Sequence, residues 1–143
     1  MFPLLLLTML LIAPLVWADL SVVKSEPNLE KRSEKALEYA NLAIDEARKA
    51  YKASDLAIFK SLINEVEESA ELSYKSLADT GKAARRSPKF FKRAEMKMHA
   101  LAKRLEALGA DVSMEDRAAV ESVRKKLSDL EDKLVFEIMT KKH

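Results

Sequence analysis

The sequence predicts an all-α protein, an antiparallel (up-down-up-down) four-helix bundle preceded by a signal peptide. The chain of 143 residues contains only two Gly and four Pro, too few for the many turns of a β-sandwich or barrel. Hydrophobic residues make up 48% of it and charged residues 34%, which is too apolar a mixture for a disordered polyelectrolyte. Beyond residue 27, apolar residues recur at steps of three and four in four separate stretches, as they do along one face of a helix.

Residues 1–18 form a separate segment without any charge. An apolar run over residues 4–13 is followed by Pro14, and Val, Trp and Ala then lead up to residue 18. This order is typical of a secretory signal peptide, so we expect cleavage after Ala18 and an exported protein, periplasmic or secreted. The first three residues lack Lys or Arg, and an uncleaved N-terminal membrane anchor is the alternative. The run is shorter than the ~20 residues that a spanning helix requires.

Residues 19–26 are expected to form a short linker, and residues 27–143 one helical-bundle domain. Pro27 stands where the first helix should begin, behind Ser25, and we expect this helix over residues 27–53. Its small apolar residues allow a neighbouring helix to approach closely. The apolar face comprises Ala36, Ala40, Ala43, Ala47 and Ala50, flanked by Leu37, Ile44 and Tyr51.

The second helix is expected over residues 55–80, because Ser54 and Asp55 are good N-cap residues and Gly81 suits a left-handed C-cap. Its stripe comprises Leu56, Phe59, Ile63, Val66, Ala70, Ser73 and Leu77. No Gly or Pro separates the first two helices, so a single helix over residues 27–80 is the alternative. Such a helix would reach ~80 Å and would need a partner chain to cover it.

The third helix is expected over residues 88–108, since Ser87 before Pro88 is the preferred order at a helix start. Gly109 is expected to end it. Its stripe comprises Phe91, Ala94, Met98, Leu101, Leu105 and Leu108.

The fourth helix is expected over residues 113–139. Ser113 and Asp116 have the spacing of a capping box. The stripe comprises Val120, Val123, Leu127, Leu130, Leu134 and Ile138. Steps of three and four, together with short loops, favour near-antiparallel packing of the four helices as a bundle.

The run Ala47-x-x-x-Tyr51-x-x-Ser54-Asp55-Leu56 resembles the end of the first helix and the turn of a tetratricopeptide repeat. The resemblance implies a turn at this place, and it covers one hairpin only. Ser54 stands where that family usually has Gly, Phe59 stands where it usually has Ala, and no second copy follows at the 34-residue period. The peptide-binding groove of the family is therefore not carried over to this chain.

A wider pattern is similar to small exported helical proteins of bacteria. It runs from Thr80-Gly81-Lys82 through Arg85-Arg86-Ser87-Pro88-Lys89 into Phe90-Phe91-Lys92-Arg93-Ala94-Glu95. The chain has no Asn-x-Ser/Thr glycosylation sequon, which agrees with bacterial export. This resemblance implies no particular function.

Positive charge is concentrated in one block of the chain. Residues 81–109 carry nine basic and two acidic residues, whereas residues 19–80 carry nine and thirteen. Many of these cations crowd the first turns of the third helix, where the helix dipole favours acidic residues instead. Backbone N–H groups and cations at this elbow, residues 81–93, would suit an anion, and Phe90 and Phe91 would add an apolar contact. The candidate anion contacts are Lys82, Arg85, Arg86, Ser87, Lys89, Lys92 and Arg93.

The alternative gives these charges a structural role. Phe91 and Ala94 would then face the core, and the basic side chains would cover the seams between helices. Their charges would meet an acidic run on the second helix, namely Glu65, Glu67, Glu68 and Glu71. Because the domain is nearly neutral and exported, nucleic acid is not the expected partner. An anionic membrane surface, a cell-wall polymer or an acidic protein are the expected anionic partners.

The residues of a catalytic or metal site are missing from the sequence. It has no Cys and two His, and it lacks a glycine-rich phosphate loop, a Gly-x-Ser-x-Gly elbow and a His-Glu-x-x-His motif. Metal sites in helical bundles are built from Glu-x-x-His motifs, and none occurs. We therefore expect no enzyme activity, no cofactor and no metal.

We expect an exported non-enzymatic bundle that serves as a protein-interaction or structural module, self-association included. The alternative is a binder of anionic surfaces or ligands through residues 81–93. Pairing of Arg85, Arg86 and Lys89 with carboxylates of the second helix would favour the interaction module, and free cations would favour the anion binder. Three tyrosines beside the stripes, Tyr39, Tyr51 and Tyr74, are expected at the core edge with their hydroxyls in water, or on a partner surface.

Overall fold

A computed structural model describes residues 20–81, 84, 86 and 88–140 of the chain. It confirms the all-α prediction, because 88% of these residues are helical and none of them lies in a strand. The described residues form five helices: α1 (Leu20–Lys24), α2 (Leu29–Lys52), α3 (Leu56–Asp79), α4 (Pro88–Asp111) and α5 (Met114–Met139). The predicted signal peptide, residues 1–18, and its cleavage site lie outside the described residues.

The four long helices form two antiparallel hairpins. In the first hairpin α2 packs against α3, and the hydroxyls of Ser33 and Ser73 are hydrogen-bonded at 2.8 Å. In the second hairpin α4 packs against α5, and His99 Nδ1 lies 2.8 Å from a carboxylate oxygen of Glu131. Short turns connect the helices of each pair, so most packing is local along the chain.

The two hairpins pack with α2 beside α4 and α3 beside α5. Two ion pairs show the relative direction of α2 and α4. Arg93 pairs with Glu34, and Arg104, further along α4, pairs with Asp45, further along α2. The neighbouring helices of different hairpins therefore run parallel. It follows that the starts of α2 and α4 lie at the same end of the molecule as the ends of α3 and α5. We call this the basal end and the opposite one the distal end.

The predicted apolar stripes form the core. Phe91, Met98 and Leu105 of α4 are buried, and so are the stripe residues of α5 as far as Leu134. Leu56 is the exception, since it is exposed at the start of α3. Small side chains on α2 allow α3 to approach closely, and four of them are buried: Ala36, Ala40, Ala43 and Ala47.

The start of the domain differs from the prediction. Residues 20–24, expected within a linker, form α1 instead, and Leu20 and Val23 are buried in the core. Helix α2 begins after Asn28 rather than at Pro27. The Asn28 side chain accepts a hydrogen bond from the backbone N–H of Lys31 at 3.0 Å, and a proline has no such acceptor in its side chain.

The turn between α2 and α3 is confirmed, and the alternative of one helix over residues 27–80 is wrong. Ser54 adopts a φ of 59°, in the left-handed region that favours glycine. Asp55 then caps α3, because its side chain accepts a hydrogen bond from the N–H of Ile58 at 3.2 Å. Gly81 follows the end of α3 at a φ of 66°, as predicted for a glycine that ends a helix.

The predicted stop at Gly109 is wrong, because α4 continues to Asp111. Gly109 is buried where α4 packs on α5, and Arg117 Nε donates to its carbonyl oxygen at 2.8 Å. Ser113 precedes α5 as predicted. Its hydroxyl, however, donates to a carboxylate oxygen of Asp116 at 2.8 Å, and no backbone N–H of α5 donates to it.

Candidate functional site

The predicted anion contacts that the structure describes gather at the start of α4, at the basal end. Lys82, Arg85 and Ser87 lie outside the described residues. Each of the other four lies in the first two turns of α4 or just before them: Arg86, Lys89, Lys92 and Arg93. Pro88 begins this helix as the sequence predicts, and no acidic residue lies in its first turn.

Arg93 belongs to the framework of the fold. Its guanidinium forms an ion pair with Glu34 of α2, and its side chain is only partly exposed. The sequence predicted a carboxylate of the acidic run on α3 as the partner. Two members of that run have other partners, because Glu65 accepts from Tyr39 and Glu71 pairs with a lysine of α5.

Arg86, Lys89 and Lys92 have a different environment, and we call these three residues the basic cluster. All three are exposed, and within the described part of the chain none of them forms an ion pair. Lys89 Nζ lies 5.9 Å from the ring centroid of Phe90. The basic cluster therefore presents cations whose charge no described carboxylate neutralises.

The two phenylalanines beside the basic cluster face inward. Phe91 is only 2% exposed and belongs to the core, as its place in the stripe predicts. Phe90 is partly buried and packs against the same core. The expected apolar contact of this pair with a ligand is therefore wrong for Phe91, because the core already holds its ring.

Other exposed apolar residues lie at the basal end, and sequence reasoning missed them. Val22 of α1 is 61% exposed, and Phe136 and Met139 in the last turns of α5 are 71% and 74% exposed. Phe136 and Met139 fall outside the apolar stripe of their helix, which is the signal that could have identified them. Because α5 is antiparallel to α4, its last turns lie beside the first turns of α4 that carry the basic cluster.

The chain has no match among protein families, curated proteins or solved structures. The resemblance of residues 47–56 to a tetratricopeptide repeat therefore stays a prediction. Among the described helices, none combines the length and the apolar character that crossing a bilayer requires.

The three tyrosine hydroxyls, which were expected in water, are hydrogen-bonded to other parts of the fold. Burial and the hydrogen bond to Glu137 raise the pKa of Tyr74 to about 12. One of these bonds lies midway along the first hairpin, one at the basal end and one at the distal end. They are Tyr39 to Glu65 at 3.0 Å, Tyr74 to Glu137 at 2.7 Å, and the N–H of Ser113 to the Tyr51 oxygen at 2.8 Å.

One cluster of titratable groups lies between α4 and α5, away from the basic cluster. Burial and the nearby Glu95 raise the pKa of the Glu131 carboxyl, and the hydrogen bond with His99 only partly offsets this. No group of three or more acidic or histidine side chains within the described residues is arranged to hold a metal ion. The contact between His99 and Glu131 therefore connects α4 to α5, and the described side chains around it do not form a set of metal ligands.

Proposed function

We propose that this chain is an exported, non-enzymatic protein that binds an anionic partner through the basic cluster. In this proposal the two hairpins form a four-helix bundle that acts as a rigid scaffold. The observation that supports binding is that Arg86, Lys89 and Lys92 are exposed at one helix start without a carboxylate partner among the described residues. Arg93, paired with Glu34, fixes the helix that carries them.

The position of the basic cluster supports the proposal on physical grounds. The start of a helix carries a partial positive charge, so Lys89 in the first turn and Arg86 just before it repel that charge and reduce helix stability by a few tenths of a kcal/mol each. A bound anion reverses the sign of this effect, because the helix start and the cations then attract the same group. The basic cluster would therefore destabilise α4 in the free protein and stabilise the complex with a bound anion.

The proposal is tested by removing the three charges together. We expect Arg86→Ser/Lys89→Ser/Lys92→Ser to weaken binding to dextran sulfate, a soluble polyanion, and to lower the slope of log affinity against log salt by about one per cation removed. The matched control removes three exposed cations elsewhere, as Lys52→Ser/Lys60→Ser/Lys103→Ser, and leaves the same net charge. Equal binding of the two variants, or no binding of the parent protein at low salt, would contradict the proposal.

A second candidate is a protein-interaction module, self-association included. Leu42 in the middle of α2 and Met96 of α4 are 52% and 68% exposed, and such side chains contribute to contacts with protein partners. Sedimentation of the chain over a range of concentrations tests self-association directly. A dimer that Leu42→Ser or Met96→Ser dissociates would support this candidate, and a monomer at every concentration would exclude the self-association that it includes.

A further inference from the structure

We infer that the anionic partner is a lipid bilayer and that the protein docks on it with its basal end. The inference rests on the proposed function and adds the chemical class of the partner and the orientation. The observation behind it is that the basic cluster shares the basal end with three exposed apolar side chains, Val22, Phe136 and Met139.

Contacts between helices place these groups at the same end. The pair Arg93–Glu34 joins the start of α4 to the start of α2. The hydrogen bond from Tyr74 to Glu137 joins the end of α3 to the end of α5, where Phe136 is the adjacent residue. Helix α1 directly precedes the start of α2 and packs on α2 and α3, which brings Val22 to this end as well.

The combination of charges and apolar groups favours a bilayer over a soluble polyanion. A soluble polyanion can neutralise the basic cluster, but it offers little apolar volume for Phe136 and Met139. The headgroup region of an anionic bilayer supplies both, since cations meet lipid phosphates and apolar side chains enter the acyl boundary. Lysine and arginine side chains are long enough to reach the phosphates while the helix end lies on the surface.

Charge distinguishes the basal from the distal end. Leu56, Ile58 and Met114 are exposed at the distal end too, so apolar exposure alone does not choose an orientation. Exposed charges of both signs accompany them there, carboxylates on Asp111 and Glu115 and cations on Lys52 and Lys60. These opposite charges offset one another, and Asp111 is already paired with Arg48, so an anionic surface is not drawn to the distal end. At the basal end, exposed Lys24 adds to the basic cluster, and Asp79 offsets one of these charges.

The inference is tested with the chain from Asp19, the product expected from cleavage after Ala18. This chain has lost the only Trp of the sequence, Trp17, so a new Trp reports on its own surroundings. We expect Phe136→Trp fluorescence to shift to the blue with vesicles of equal parts phosphatidylglycerol and phosphatidylcholine. Met114→Trp, at the distal end, is the matched control and should not shift.

Affinity measurements separate the contributions of charge and apolar groups. We expect Phe136→Ser/Met139→Ser to weaken vesicle binding on the order of tenfold and to leave dextran sulfate binding unchanged. The triple Ser variant of the basic cluster should weaken both, and vesicle binding on the order of a hundredfold. Circular dichroism of each variant checks that the helices persist.

Four outcomes would overturn the inference or part of it, and they are distinguishable. If the parent chain binds dextran sulfate but not anionic vesicles at low salt, the bilayer inference is wrong and the proposed function stands. If it binds neither, both are wrong. A blue shift of Trp at position 114 equal to that at position 136 would overturn the basal orientation. If the chain bound vesicles of phosphatidylcholine alone as tightly as the anionic vesicles, charge would have no role in binding.

Discussion

Lys89 and Arg93 lie four residues apart on the same helix, yet only Arg93 has a carboxylate partner among the described residues. The sequence assigned both to one group of candidate anion contacts, because both are basic and close to the start of a helix. The difference arises from Glu34, a residue 59 positions earlier in the chain. Periodicity shows which face of a helix is apolar, but it does not show which distant side chain meets a given charge.

The burial of Phe91 was predictable from the stripe, and it gives a testable stability effect. Because its ring is 2% exposed, Phe91→Ala should leave a cavity and lower the free energy of unfolding by about 3 to 5 kcal/mol. Urea unfolding followed by circular dichroism measures the change. Lys92→Ala, at the exposed neighbouring position, is the control and should change it by at most about 0.5 kcal/mol. A similar small change for both would mean that the ring is not part of the core.

Glu131 should make stability depend on pH. Burial and Glu95 raise the pKa of its carboxyl above the value of 4.5 in an unfolded chain. The folded protein therefore holds this proton more tightly than the unfolded chain does, and the stabilisation is present below pH 4.5 and lost as the pH rises through the raised pKa.

Glu131→Gln removes this titration and tests the prediction. The stability of the parent protein relative to the variant should fall as the pH is raised from 4.5, in urea unfolding measured at a series of pH values. A difference that stays constant with pH, or that grows in the opposite direction, would contradict the assignment.

Helix ends show which sequence signals are local and which are not. The turn at Ser54 and Asp55 and the stop at Gly81 were predictable, because caps act through the backbone of adjacent residues. Unlike Gly81, Gly109 lies inside a helix, α4, at a place where a neighbouring helix packs on it. A glycine that ends a helix and a glycine inside a helix look alike in a sequence. Likewise, α1 is too short for its five residues to show a period.

The two glycines of the chain should respond to alanine in opposite directions. Gly81 has a positive φ, so Gly81→Ala should destabilise the protein by about 1 kcal/mol although the space around it is open. A Cβ at Gly109 would meet its nearest neighbour, a carboxylate oxygen of Glu121, at 3.4 Å, which is ordinary contact. Gly109→Ala should therefore stabilise α4 by up to about 1 kcal/mol. Thermal unfolding of both variants measures this, and a shift of the same sign in both would refute it.

For the whole molecule, composition and periodicity were sufficient to predict the helical class, since they require no knowledge of partners between helices. The parallel arrangement of α2 beside α4 was not predictable. The apolar stripes show which residues of each helix are buried, but they do not show which helix of the first hairpin packs against which helix of the second. The exposed apolar residues of the basal end were missed for a related reason. The apolar stripes identify core residues, whereas Phe136 and Met139 lie outside the stripe of α5 and are exposed.

The proposed export of the whole chain has a direct test. If the signal peptide is cleaved after Ala18, N-terminal sequencing of the protein from the culture medium or periplasm should begin at Asp19. Replacing Ala18 by a large charged residue should block cleavage, because the processing site requires small residues. Recovery of intact Met1 from a membrane fraction of the parent protein would instead indicate the N-terminal anchor.

The parallel pairing of the hairpins also has a consequence for how fast the chain folds. Within each hairpin, a turn of two or three residues brings the helices together, so loop closure costs little entropy. The bonds that join α2 to α4 connect residues 59 to 63 positions apart, so forming them closes a much longer stretch of chain. Folding should therefore proceed by rapid assembly of two hairpins followed by their docking, within microseconds to milliseconds, the range of helical proteins rich in local contacts.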